Sequence, residues 1–233
     1  MRTSDRIYVA ADSLQNESNR SDDGSESESP CDVCKIGRVG KIYLASSGLS
    51  RFEHEDKTKI SIQELCKETI DPGRTIRDNI HLIEESLYET CLETARYICE
   101  KWIEKFDCLE RNPVHIALFG IENESPVVSS IRFHALGPDD PGIEVCKRYN
   151  VGADSRDPVD YILGCEVLMD KMKRSGALPN IQGDIRLWLE RAMRQCVLYQ
   201  GEPKTIGGEI ALLRIESSGE EVWIQRPDIC KDT

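Results

Sequence analysis

The order of elements in the sequence predicts an α+β fold: strands, one long amphipathic helix, a strand hairpin, two further helices and a closing hairpin. Three observations carry this prediction. Runs such as residues 7–11 and 114–121 are too uniformly apolar for half-exposed strands and read as strands covered on both faces. Over residues 75–106, apolar side chains recur at steps of three and four, the signature of a helix with one buried stripe. Paired runs around short turns at 122–126 and 217–219 are hairpins, and antiparallel hairpins need other layers to cover them. Two central sheets between helix layers satisfy that demand. A single sheet with helices on one face is the competing arrangement.

Taken in order, the first strand, residues 7–11, ends on Asp12. Composition then changes abruptly: residues 16–29 hold five serines and five acidic residues against Arg20, with no apolar side chain. Such a stretch cannot bury enough surface to offset the entropy of ordering, so a mobile, disordered insertion is expected over about 16–30. Lys35 and Ile36 lead into a second strand, 41–45, which ends in the small residues Ser46, Ser47 and Gly48. A short helix over 60–69 is stopped by Asp71-Pro72-Gly73. Thr75 caps the long helix, and Asp78 answers it three residues later. The stripe of that helix is Ile76, Ile80, Ile83, Leu87, Cys91, Ala95, Ile98, Trp102 and Phe106, and Asn112-Pro113 ends it.

The strand 114–121 turns at 122–126 and returns over 127–134. After the Gly- and Pro-rich loop 137–142 a further strand is expected near 143–151. Asp157-Pro158 opens a helix whose inner face carries Val159, Ile162, Leu163, Met169 and Met172, closed by Gly176 and Pro179. The next helix, about 181–199, buries Ile185, Trp188, Leu189, Ala192 and Cys196. A hairpin of 209–215 and 221–224 closes the chain. The sequence shows no internal repeat.

At 233 residues the chain is long enough for one large domain over 1–233 with a well-buried core. A net charge of -12 argues against a nucleic-acid or anionic-membrane partner, either of which needs a basic face. No apolar run approaches the roughly 18 residues of a membrane span. The N-terminal residues lack the apolar centre of a signal peptide. Ten cysteines without such a signal point to reduced thiols in a cytoplasmic protein rather than a disulfide framework.

A strand that stops at Asp12 beside one entered from Lys35 puts a charge pair near two strand ends. Such a pair can orient and activate a nucleophile, or it can simply hold two strands together. Here the chain resembles the proteasome-type N-terminal nucleophile hydrolases, on the side of the bacterial proteasome-related proteins. The matching residues are Ile7-Tyr8-Val9-Ala10-Ala11-Asp12-Ser13, Cys34-Lys35-Ile36 before a strand, and Ser47-Gly48 after it. Asn150-Val151-Gly152-Ala153 before a helix also fits, as does Thr205-Ile206-Gly207-Gly208 entering the hairpin that closes on Trp223. The resemblance covers most of the chain and is weakest over the long helix.

This resemblance implies a four-layer αββα sandwich of two antiparallel sheets flanked by helices. It implies a threonine-type peptidase or amidohydrolase in which the N-terminal threonine hydroxyl attacks the carbonyl and its own α-amine takes the proton. Lys35 would lower the basicity of that amine, Asp12 would hold Lys35, and backbone N–H groups near Ser47 and Gly48 would stabilise the oxyanion. Peptide or amide substrates, self-association into a ring or stack, and no cofactor are likewise implied.

The family places its threonine well upstream of the strand Asp. Only eleven residues precede Asp12, and Thr3 and Ser4 lie too close to it. The nucleophile is therefore expected either upstream of Met1 or, in an inactive relative acting as an assembly or scaffold protein, not at all. Before the Gly-Gly pair the family favours an acid and a hydroxyl; Ile206 stands at the hydroxyl position, with Glu202 and Thr205 displaced.

Other constellations are weaker. Cys31 and Cys34 form a single C-x-x-C with no second pair, while His54, His81, His115 and His134 are scattered singly, so no metal site is expected. A redox C-x-x-C opens a helix, whereas this one precedes a strand. Cys66, Cys91, Cys99, Cys165 and Cys196 fall on or near apolar helix faces and read as packing residues. There is no G-x-S-x-G elbow and no Gly-rich phosphate loop.

Overall fold

The computed structural model describes residues 5–12, 14–20, 26–48, 51–53, 59–101, 114–136, 142–150, 174–175, 185–199 and 207–231. Within them the chain is mixed α+β, with one five-stranded and one three-stranded antiparallel sheet and three α-helices. Its contacts divide it into two compact units. The first comprises Met1–Ile7, Gly37–Gly164 and Ile215–Glu220, and the second Tyr8–Ile36, Cys165–Arg214 and Glu221–Thr233.

The strands are β1 (Arg6–Asp12), β2 (Leu14–Arg20), β3 (Glu26–Asp32), β4 (Ile36–Val39), β5 (Ile42–Ser47), β6 (Arg51–Glu53) and β7 (Lys59–Ser61). They continue as β8 (Val114–Glu122), β9 (Ser125–Ala135), β10 (Ile143–Arg148), β11 (Ile210–Glu216) and β12 (Glu221–Gln225). The helices are α1 (Ile62–Thr69), α2 (Ile76–Lys101) and α3 (Ile185–Tyr199), with a 3-10 turn at Asp228–Cys230.

The first unit is built on the sheet ordered β10-β9-β8-β5-β4. β8 and β9 form the expected hairpin, and its turn residues Asn123 and Glu124 take φ of 49° and 61°. Two successive left-handed residues match the twist of the strands they join. Ile42, Leu44, Val114, Ile116, Leu118, Ile131 and Phe133 alternate onto one sheet face and pack with α1 and α2. The α2 stripe foreseen from spacing is buried at Ile76, Ile80, Ile83, Leu87, Cys91 and Ala95. Trp102, Phe106 and the side chain of Ile98 lie outside the described residues. The opposite sheet face is buried too, at Tyr43, Ala45, Ala117, Phe119, Val128 and Ser130. These strands are therefore covered on both sides, as their uniform apolarity requires.

The caps of both helices follow local chemistry. Ser61 Oγ accepts from the Glu64 N–H at 3.3 Å, and Thr75 Oγ1 accepts from the Asp78 N–H at 3.1 Å. The Thr75 hydroxyl also donates to Asp78 Oδ2 at 2.7 Å, and this bond holds the Asp78 carboxyl below its usual range. The Asp71-Pro72-Gly73 stop is fastened by Asn79, which is fully buried. Asn79 Oδ1 accepts from the Asp71 N–H at 2.7 Å, while Nδ2 donates to the Asp71 and Thr75 carbonyls, both at 2.9 Å.

The second unit holds most of the sheet ordered β1-β11-β12, together with α3 and the 3-10 turn. β11 is central and its first four residues, Ile210 to Leu213, are buried. On α3, Trp188, Ala192 and Cys196 are buried, while Leu189 is half-buried.

Several expectations are corrected. Residues 16–20 and 26–30, within the stretch expected as a mobile insertion, belong to a β2–β3 ribbon that pairs Leu14 with Asp32 through to Arg20 with Glu26. Apolar content gauges side-chain burial, whereas a two-stranded ladder needs only backbone partners. A second ribbon, β6–β7, was not foreseen. Residues 8–11 of β1 are half-buried rather than covered on both faces. The strand expected near 143–151 ends at Arg148 and alternates half-buried with exposed residues, as an edge strand does. The helix expected from Asp157 to Met172 lies outside the described residues. No helix among the described residues is long and apolar enough to cross a membrane.

Candidate functional site

β1 delivers Asp12 to its end, where the side chain is 10% exposed. Lys35 stands in the short connection between β3 and β4, with its side chain 22% exposed. Its Nζ donates to Asp12 Oδ1 and Oδ2, both at 2.9 Å. The backbone N–H of Gly207 donates to Asp12 Oδ2 at 3.0 Å. One carboxylate thus gathers two hydrogen bonds from an ammonium and one from an amide that is 195 residues away in the chain.

The chemistry of this group is defined by its donors. A carboxylate accepting charge-assisted bonds is held in one orientation. An ammonium fixed by both oxygens of one carboxylate is a positioned positive charge rather than a mobile surface lysine. The Lys35 Nζ faces both oxygens of the Asp12 carboxylate at the same distance. Such an ammonium can stabilise a developing negative charge or lower the basicity of a neighbouring amine.

Of the four residues expected at the site, the structure therefore brings Asp12 and Lys35 together. Ser47 and Gly48 belong to the other unit, where they end β5. Ser47 pairs across the ladder with His115, which is 5% exposed, and the buried Ser47 Oγ has no hydrogen-bond partner among the described residues. Gly48 takes φ of 87°, a conformation that turns the backbone sharply out of the strand. Thr3, Ser4, Glu202, Thr205 and Ile206 lie outside the described residues.

Two features of the site escaped sequence reasoning. The first is the Gly207 N–H on Asp12; its only sequence signal is the Thr205-Ile206-Gly207-Gly208 segment, which says nothing about which carboxylate it meets. The second is a disulfide between Cys34 and Cys230, with Cα atoms 5.1 Å apart. The expectation of reduced thiols, and the cytoplasmic location read from it, rested on composition and a missing secretory signal. Neither reports that a tertiary contact brings two particular cysteines into bonding range. Elsewhere the packing role of the cysteines holds at Cys66, Cys91 and Cys196, all buried. Burial, with Cys91 beside it, pushes the Cys66 thiol up to about 12, and burial pushes Cys91 to about 12 as well. Cys165 and the side chain of Cys99 lie outside the described residues.

No protein-family model matches the chain, and no curated protein matches it.

Proposed function

We propose that the chain is a threonine-type peptidase or amidohydrolase of the proteasome-like N-terminal nucleophile class. The observation that carries this reading is the forked Lys35–Asp12 pair with the Gly207 N–H on the same carboxylate. In this mechanism the nucleophile is a threonine at the mature N-terminus. Its hydroxyl attacks the carbonyl of a peptide or amide substrate, and its α-amine accepts the hydroxyl proton. An α-amine titrates near 8, and the Lys35 ammonium lowers that value so that more of the amine is free to act as base at neutral pH. Asp12 orients Lys35, and backbone N–H groups take up the oxyanion charge. The reading includes the four-layer αββα sandwich, which is supported by the two antiparallel sheets and by burial on both faces of the larger one. It also includes self-association into a ring or stack.

The test starts with the mature N-terminus of the protein purified from its native source, read by intact mass and N-terminal sequencing. A chain that begins with threonine, reacts covalently with a hydroxyl-directed electrophile such as a β-lactone, and loses that reaction in Lys35→Ala fits the proposal. A mature chain that gives no covalent adduct sinks it.

A second reading follows from the same pair. Lys35 and Gly207 together satisfy the Asp12 carboxylate, so the group is also complete as a structural clasp. On that reading the protein is an inactive homologue that serves as an assembly or scaffold protein. It requires a defined oligomer whose formation is indifferent to electrophiles; a monomer in sedimentation velocity removes it.

A further inference from the structure

The disulfide and the charge pair are adjacent in the chain. Cys34, bonded to Cys230, is followed directly by Lys35, whose ammonium is fixed on Asp12, whose carboxylate in turn holds the Gly207 N–H. One continuous line of bonds therefore runs from the C-terminal 3-10 turn to the entrance of β11. We propose that Cys34–Cys230 is a redox-breakable tether that sets whether Lys35 is held in place, and hence whether this site is assembled. Control of hydrolysis by the tether rests on the function proposed above; the tether itself does not.

The structure supplies a part that can move. Cys230 is buried, but it sits in a three-residue turn flanked by exposed groups, with Ile229 48% exposed and the side chains of Asp228 and Lys231 89% and 64% exposed. Arg226 clasps this turn, its Nε donating to the Cys230 carbonyl at 3.0 Å and its Nη2 to the Lys231 carbonyl at 2.9 Å. The guanidinium itself lies 5.0 Å from the Trp223 ring centre. A three-residue turn with exposed side chains on both sides of its cysteine is an element that opens locally at lower cost than a central strand. Opening exposes the disulfide to a reductant without disturbing the sheets.

The step is a two-electron exchange with a dithiol, either a small molecule or the active site of a dithiol oxidoreductase. One thiolate of the reductant attacks Cys230 Sγ, the Sγ–Sγ bond breaks, and Cys34 leaves as a thiolate that takes up a proton. The reductant's second thiol then displaces Cys230, which leaves as the second protein thiol, and the reductant departs as its cyclic disulfide. The protein gains two electrons and two protons. With the bond open, the backbone at Cys34 loses its anchor and the next residue, Lys35, gains freedom to leave Asp12. Oxidation by a dithiol–disulfide couple restores the clamp.

Amide hydrogen exchange read by mass spectrometry tests this on the full chain. Four states are compared: oxidised, reduced with dithiothreitol, reoxidised with oxidised dithiothreitol, and Cys230→Ser. The oxidised state yields a linked Cys34–Cys230 peptide pair. In the reduced and Cys230→Ser states the Gly207 amide exchanges about tenfold faster than in the oxidised state, after allowing for any change at β8 and β9. Lys35 gains reactivity towards an amine-directed acylating reagent in the same states, and reoxidation reverses both effects. Free thiols at both positions in the oxidised sample overturn the proposal. So does a Gly207 amide that does not respond, or one that speeds up only as much as β8 and β9, since a uniform change marks an ordinary stabilising cross-link. None of these readouts depends on hydrolytic activity, so failure of the tether and failure of the hydrolase reading are separable.

Discussion

Lys35 and Asp12 are each costly to bury alone and tolerable together. Removing the ammonium strands a carboxylate that is 10% exposed, with the Gly207 N–H as its remaining partner among the described residues. Lys35→Met is expected to lower unfolding free energy by about 3 kcal/mol, and Asp12→Leu combined with Lys35→Met to recover part of that loss. Urea denaturation of the two variants checks this, and equal losses would show that the stranded carboxylate is not what costs stability. Thiol titration makes a second residue-level prediction. The Cys66 and Cys91 thiols, pushed to about 12, stay neutral and unreactive towards iodoacetamide at pH 8, whereas exposed Cys146 is alkylated. Their folded values lie above the ordinary thiol value of 9.0, so the folded state favours the protonated thiols. The stability they lend is complete below about pH 9 and is lost as pH rises from there towards 12. Replacing both with Ala flattens that alkaline fall in the thermal midpoint; an unchanged slope would contradict the assignment.

At the scale of elements, α2 depends on its entry as much as on its stripe. Asn79 is fully buried, and it makes three short hydrogen bonds to the turn that precedes the helix. Asn79→Ala leaves the Asp71 N–H without that partner and is expected to cost about 1–3 kcal/mol, read as a lower denaturation midpoint. Loss below about 0.5 kcal/mol would mean that the turn holds itself. The β5–β8 pairing has an equally local requirement. A Cβ on Gly120 would sit 2.8 Å from the Lys41 carbonyl oxygen, a backbone atom that cannot swing aside. Gly120→Ala is expected to destabilise by about 1–3 kcal/mol through displacement of β5 from β8. Increased exchange of β5 amides in that variant would locate the damage.

At the scale of the whole molecule, the excess of negative charge acts everywhere at once. With a net charge of -12, self-repulsion opposes the compact state, and added salt screens it. The thermal midpoint is expected to rise by a few degrees between low salt and about 0.5 M sodium chloride. A fall over that range would mean that specific ion pairs, such as Lys35–Asp12 and Lys147–Glu84, outweigh the overall repulsion.

Hydrophobic period alone determined the mixed α+β class, α2 with its buried stripe, the β8–β9 hairpin and the closing hairpin of β11 and β12. Spacings of two and 3.6 residues are local, and burial follows them directly. Resemblance singled out Asp12 and Lys35, which the structure joins. Tertiary structure decided everything that depends on two distant parts of the chain meeting. Gly207 reaches Asp12 across 195 residues and Cys230 reaches Cys34 across 196, and no local pattern encodes either approach. The β2–β3 ribbon escaped for the opposite reason. Its ladder is made by the backbone, which every sequence shares, so its polar side chains gave no sign of it.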